Sequence, residues 1–132
     1  MSIHLESNDL TNAQQMEVAV NGPDGATHLI LCSGVADLDS ASCGTYTFFV
    51  GPQISRRQFV GAIASGALST IRAHRKNTDN DIELKANLIS IAANYDDESG
   101  QVEVSAEVSS CNAMTKLSIS YNVSILAELP IP

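Results

Sequence analysis

Three cysteines, Cys32, Cys43 and Cys111, and three histidines, His4, His28 and His74, are the side chains of this chain best suited to act as nucleophiles, bases or metal ligands. Their spacing assigns them none of these roles. The cysteines are odd in number and form no CxxC or Cys/His cluster, which predicts reduced, packed thiols and neither a disulfide framework nor a zinc site. His28 alternates with Ile30 and Cys32 along an apolar run, where a histidine bonded to backbone is expected. His74 stands near the end of a predicted helix, where the dipole favours a capping cation. Asp37 with Asp39, and Asp79, Asp81 with Glu83, resemble parts of a cation site. Both lack the ligand density, sharp-turn Gly and distal Glu of a calcium loop, so solvated loop charge is expected there and at Asp96-Asp97-Glu98. GxSxG, GxGxxG and GxxxxGK are absent, and Asn122-Val123-Ser124 is read as a chance glycosylation match. The residues thus name no catalytic group, no cofactor-binding residue and no metal ligand, and point away from an enzyme.

Charge narrows the partners. The chain of 132 residues carries 7 Lys+Arg against 15 Asp+Glu, a net charge of -8 that repels nucleic-acid phosphate and anionic lipid. No direct nucleic-acid or membrane partner is expected. With 5% aromatic residues and no Trp, base-stacking platforms are poorly supplied. Residues 1 to 55 contain no Lys or Arg, whereas Arg56, Arg57, Arg72, Arg75 and Lys76 lie on or next to the predicted helix, an asymmetry suited to complementary contact between copies or with a partner, while the acidic residues elsewhere offer a surface to a basic protein partner. Met1 to Leu10 has neither a basic n-region nor an apolar run, and no window approaches a membrane span, so a cytoplasmic protein is expected. An apolar fraction of 44% and a charged fraction of 17% predict one packed domain over residues 1 to 132.

The elements that must position these residues are mostly strands. Met16, Val18 and Val20 alternate before the turn NGPDG at 21 to 25, and Thr27, Leu29 and Leu31 alternate after it, which predicts a hairpin. Residues 45 to 50, TYTFFV, form a β-branched and aromatic strand ended by Gly51-Pro52. In 82 to 95 the apolar positions change from even to odd, which requires a bulge or a strand covered on both faces near Leu88. After a turn at 96 to 100, Val102 to Val108 and Leu117 to Ile125 alternate cleanly, so residues 82 to 125 predict a three-strand meander. The terminal LPIP reads as an extended tail.

Residues 54 to 76 predict one long helix, at about 56 to 75. Ser55 is a good N-cap, Gln58 completes a capping box, and Ile54 with Phe59 supplies a hydrophobic staple. Phe59, Val60, Ile63, Ala67 and Ile71 share one helical arc, a core stripe. The reverse face carries Gly61, Ser65 and Ser69 every four residues. An interior helical Gly costs about 1 kcal/mol, so that row is read in three ways: small residues facing solvent, close approach of a partner subunit's helix, or wrapping by the chain's own N-terminal sheet. The expected fold is therefore α+β, an antiparallel, strongly curved sheet of about six to seven strands packed on one long helix.

An Ala/Gly-rich helix followed by a strand meander, over about residues 45 to 127, is similar to the hotdog arrangement, in which a sheet wraps a central helix and copies dimerise. The resemblance implies a small-molecule or acyl-binding pocket between helix and sheet, lined here by Phe48, Phe59, Tyr95 and Tyr121. Hotdog thioesterases present a polar catalytic group on or near that helix, and residues 54 to 71 have no Asp, Glu or His. The leading expectation is a non-enzymatic, acidic interaction module: a homo-oligomeric assembly subunit, or an inhibitor or immunity-type protein for a basic partner. Its interface is expected at Gly61, Ser65, Ser69, Arg56, Arg57, Arg72 and Arg75, with the arginines reaching acidic loops such as 96 to 98 of a neighbour.

Overall fold

Val102, Val104, Ala106 and Val108 point into the protein and are buried, while Gln101, Glu103, Ser105, Glu107 and Ser109 alternate with them on the other face. The same period of 2 recurs in β-strand residues 27–38 and 117–127, which send one set of side chains into a shared core. The computed structural model describes residues 2–20, 27–38, 44–73, 87–109 and 115–128. They form β1 (Ser2–His4), β2 (Leu10–Val20), β3 (Thr27–Leu38), β4 (Gly44–Val50), β5 (Phe59–Ala73), β6 (Asn87–Asp96), β7 (Gln101–Ser109) and β8 (Thr115–Glu128), with a short 3-10 turn at Ser7–Asp9.

The strands make two four-stranded sheets, ordered β1-β4-β7-β6 and β2-β3-β8-β5. β1 pairs with β4 in parallel, and every other pairing is antiparallel. The core lies between the sheets: Tyr46, Phe48, Val102, Val104 and Val108 come from the first, and Ile30, Leu38, Leu117, Ile119, Val123 and Ile125 from the second. This is a β-sandwich.

The predicted hairpin is present, with Met16 opposite Leu31, Val18 opposite Leu29 and Val20 opposite Thr27. β4 stops at Val50, and the next residue, Gly51, has a φ of +78° that suits glycine. The register shift in β6 falls between Leu88 and Ser90, where the change of parity required it. The turn after β6 closes on Asp96, whose backbone carbonyl accepts from Gly100 N–H at 2.9 Å and whose carboxylate accepts from Ser99 N–H at 2.9 Å. The loop 21 to 25, the start of the run at 82, and the LPIP tail lie outside the described residues.

Three expectations are corrected. The fold is not α+β: among the described residues no helix exceeds the 3-10 turn, and 59 to 73 is a strand laddered along β8 from Phe59 opposite Ala127 to Ala73 opposite Thr115. The last three strands are not a meander, because β8 leaves its predecessors and joins the other sheet between β3 and β5. Val60 and Ile63, assigned to a core stripe, are exposed.

The physical reason is visible at the start of β5. The local capping signal operates: Ser55 N–H donates to Gln58 Oε1 at 2.7 Å, and Gln58 and Phe59 N–H both donate to Ser55 O, at 3.0 and 3.2 Å. One turn forms and goes no further. Gln58 O then accepts from Glu128 N–H at 2.7 Å, and the backbone continues on β8. β5 contains two glycines and β-branched Val60, Ile63, Thr70 and Ile71, which weaken a helix. A ladder partner decides the rest. Inward-facing Ala62, Ala64 and Gly66 are small enough for β6 to lie close, and a Cβ placed on Gly66 would stand 3.0 Å from Ile91 Cδ1 and 2.9 Å from Ser120 O.

Candidate interaction surface

The ladder registers of the β2-β3-β8-β5 sheet determine which residues share its outer face. Met16, Leu31, Ser124 and Ile63 form one row across the four strands, and Val18, Leu29, Leu126 and Gly61 form the next. Gln14, Ser33, Asn122 and Ser65 make the adjoining row, which is entirely polar and uncharged. Between Asp37 at one end and Glu128 at the other, the outward positions carry no charged residue. On a chain of net charge -8 that is a marked local depletion.

This face exposes large apolar side chains. Ile63 is 76% exposed and Met16 61%, with Val18, Val20 and Leu31 also exposed. A grouped set of this kind, in contrast to single scattered residues, is the uncommon case on a protein surface. The outer face of the opposite sheet is acidic: Glu103 stands between Phe49 and Asn94, and Glu107 between Thr45 and Ser90.

The edges of the same sheet differ: β6 of the other sheet lies close to β5. β2 and β5 are its end strands, and among the described residues neither pairs on its far side. Sheet edges are ordinarily blunted by Lys, Pro, short length or bulges. β1, an edge of the other sheet, has only 3 residues. β2 has a bulge between Thr11 and Gln14, where Asn12 takes φ +53°, and then runs regularly to Val20 without Lys, Arg or Pro. β5 is regular and uncharged from Gly61 to Leu68.

The expected interface residues are distributed as follows. Gly61, Ser65 and Ser69 lie on the outer face of β5, Ser65 and Ser69 exposed, and Ser69 Oγ donates to Ser118 O at 3.2 Å. Close approach at Gly61 is corrected: a Cβ there would meet nothing within 4 Å, and the crowded glycine is Gly66, on the inner face. Arg56 Nη1 pairs with Asp97 of the same chain at 3.2 Å and lies over the Tyr95 ring at 5.6 Å. Arg57 is exposed beside it. Arg72 occupies a β5 position opposite Lys116, and Arg75 lies outside the described residues. Alternation places Met16, Val18, Val20 and Leu31 on strand faces without telling whether the core covers them.

The four proposed pocket aromatics form two separate pairs. Phe48 and Tyr121 stack in the core with ring centroids 4.8 Å apart. Phe59 and Tyr95 stack at 5.3 Å beside the Ser55 turn, where Tyr95 OH donates to Ile54 O at 2.7 Å. Among the described residues no helix lies beneath the sheet to form the second wall of a hotdog-like pocket. Tyr121 borders a groove of about 310 Å³ next to the β2 bulge, and a groove of about 340 Å³ lies against Met16, Leu31 and Ser124.

The side chains capable of chemistry are also separate. Cys32 is buried and free, with its thiol pushed up by desolvation, whereas a nucleophile needs the opposite shift. His28 Nδ1 lies 2.8 Å from Glu17 Oε1 on the neighbouring strand. His4 Nδ1 is 3.2 Å from Thr47 Oγ1, with its ring against Phe49. Asp37 accepts from Ser118 Oγ at 2.7 Å and from Thr11 Oγ1 at 3.4 Å. Among the described residues no three His, Cys, Asp or Glu side chains converge as a metal site would require. Cys43, Cys111, His74, Asp39, Asp79, Asp81 and Glu83 lie outside them.

Fold and surface together define a class: a two-sheet, mainly antiparallel sandwich with one acidic outer face and one uncharged, partly apolar outer face. No protein family, curated protein or solved structure matches the chain. No helix among the described residues is long and apolar enough to cross a membrane.

Proposed function

We propose that this chain is a non-enzymatic protein-interaction module that self-associates through the β2-β3-β8-β5 sheet. The observation that carries the reading is the exposed set Met16, Val18, Val20, Leu31 and Ile63, gathered on one uncharged face of an acidic protein. Fully burying such a side chain is worth roughly 1.5–3 kcal/mol, so the exposed part of each holds about 1 kcal/mol in reserve. Pooled over two copies, that is on the scale of the roughly 4–15 kcal/mol that association must overcome, which makes assembly concentration-dependent. A basic protein is the outside partner favoured by the opposite face, through Glu103 and Glu107. The buried, unpaired Cys32 suits a reducing compartment, and we place the protein in the cytoplasm.

Light scattering coupled to size exclusion, over a hundredfold range of concentration, tests the reading. The expected result is an oligomer that dissociates on dilution, and a Leu31→Glu variant that is folded and monomeric. A wild-type chain that stays single throughout the range overturns it.

A further inference from the structure

We propose that the groove of about 310 Å³ beside the β2 bulge binds a small uncharged molecule, an apolar body with a carbonyl oxygen that accepts from the Tyr121 hydroxyl. The site goes beyond self-association and does not depend on it. Its construction begins at Gly34. With no side chain there, the Tyr121 ring on β8 lies across β3, and its hydroxyl stands where a Cβ of residue 34 would be, at 2.6 Å. The register shift between Thr11 and Gln14 brings Ala13 beside the same point, and Val50 with Gly51, at the end of β4 in the other sheet, borders the groove as well. The groove thus opens where β2 is bulged and β4 stops.

The phenol is the group that calls for a ligand. Tyr121 is only 3% exposed, and among the described residues its hydroxyl has no hydrogen-bond partner. Hydroxyls so deeply set ordinarily have one. The body of the ring is held against Phe48, so the hydroxyl is the end that borders the groove. An acceptor seated there would meet a donor that the protein itself leaves unpaired.

The lining sets the ligand's polarity. Leu10, Cys32 and Val50 supply an apolar wall that is buried or half-buried. Gln14, Gln15 and Ser33 add uncharged polar groups, and Gln101 is fixed at the rim by Nε2 donating to Gly51 O at 2.8 Å. No residue around the groove is charged. A carboxylate or ammonium would therefore lose its hydration without gaining a counter-ion.

The test is titration followed by amide NMR spectra, with three ring compounds of similar shape: neutral benzamide, anionic benzoate and cationic benzylamine. Benzamide is expected to bind saturably with a Kd of roughly millimolar order, as befits so small a ligand, and to shift the signals of Ser33, Gly51 and Gln101 while leaving β6 unchanged. Benzoate and benzylamine are expected to bind at least about tenfold more weakly. Tyr121→Phe keeps the ring on Phe48 and should weaken benzamide about threefold to tenfold, the usual worth of one neutral hydrogen bond. Gln15→Trp, at an exposed rim position, should fill the opening and abolish the shifts, and it serves alone if Tyr121→Phe does not fold. Equal binding of the three compounds, shifts spread beyond the groove, undiminished benzamide binding by either folded variant, or no saturable shift at all, as for a groove that holds only water, overturns the site. None of these outcomes bears on the mass of the chain in solution, so self-association stands or falls separately.

Discussion

Gly34 and Tyr121 face each other across the β3–β8 ladder, and a Cβ built on Gly34 would stand 2.6 Å from the Tyr121 hydroxyl oxygen. The ring cannot easily withdraw, since Tyr121 is buried and stacked on Phe48. The Cα of Ala13 in the β2 bulge closes the other side at 3.2 Å. The tyrosine occupies the space a larger residue at 34 would need, and the bulged edge strand packs over both.

Gly34→Ala is therefore expected to destabilise the protein by about 1–3 kcal/mol, the usual penalty for overpacking a filled site. Urea unfolding measures it. A Gly34→Ala, Tyr121→Leu double variant is expected to be less destabilised than the sum of its single changes, and simple additivity would show that the two residues do not compete for space.

The glycines of β5 are expected to differ. Gly66→Ala puts a methyl against Ser120 O and Ile91, and should cost about 1–3 kcal/mol by forcing β5 away from β6. Gly61→Ala adds a methyl to open space and should be neutral within about 0.5 kcal/mol, or slightly stabilising. Equal midpoints for the two variants in thermal or urea unfolding would contradict this packing.

Alkaline pH should unfold the protein earlier than it would a variant lacking Cys32. Burial holds the Cys32 thiol above its ordinary range, and burial followed by the nearby Cys32 does the same for the Tyr121 phenol. A group with a raised folded-state value contributes stability that is complete below its unfolded value and is lost as pH rises through the folded one. The loss is therefore expected above the ordinary thiol range and, further, above the phenol range. Cys32→Ala should flatten the first part of the stability curve, measured by urea midpoints from neutral to alkaline pH. At the acid end, the Ser99 hydrogen bonds lower Asp96, so its contribution is present above the ordinary carboxyl range and fades as pH falls through the lowered value. Asp96→Asn should reduce that acid-side slope.

A synthetic peptide of residues 54 to 76 is expected to be more helical than the same residues within the protein. It retains the Ser55–Gln58 capping pair and the apolar spacing of Phe59, Ile63 and Ala67, and it lacks β8. Far-ultraviolet circular dichroism in a helix-promoting cosolvent is the measurement. A peptide that remained free of helix would mean that tertiary pairing was not what overrode the local preference.

What the chain states locally, it states well. The hairpin of Met16 to Leu31, the bulge near Leu88, the turn on Asp96 and the alternation of Val102 to Val108 all follow from period 2 and turn chemistry, which act over a few residues. Residues 59 to 69 were ambiguous because Gly, Ala and Ser give neither the helical nor the strand period much contrast; the capping box then supplied a local cue for a helix that the ladder to β8 prevents from extending. Partners in sequence order could not be deduced either. β8 leaves β7 for a place between β3 and β5, a long-range choice made by burying Leu117, Ile119, Val123 and Ile125 in the common core. The candidate surface belongs to this second kind of information: alternation distinguishes the two faces of β2, but only the packing of the sheets determines that Met16, Val18 and Val20 remain uncovered in the single chain.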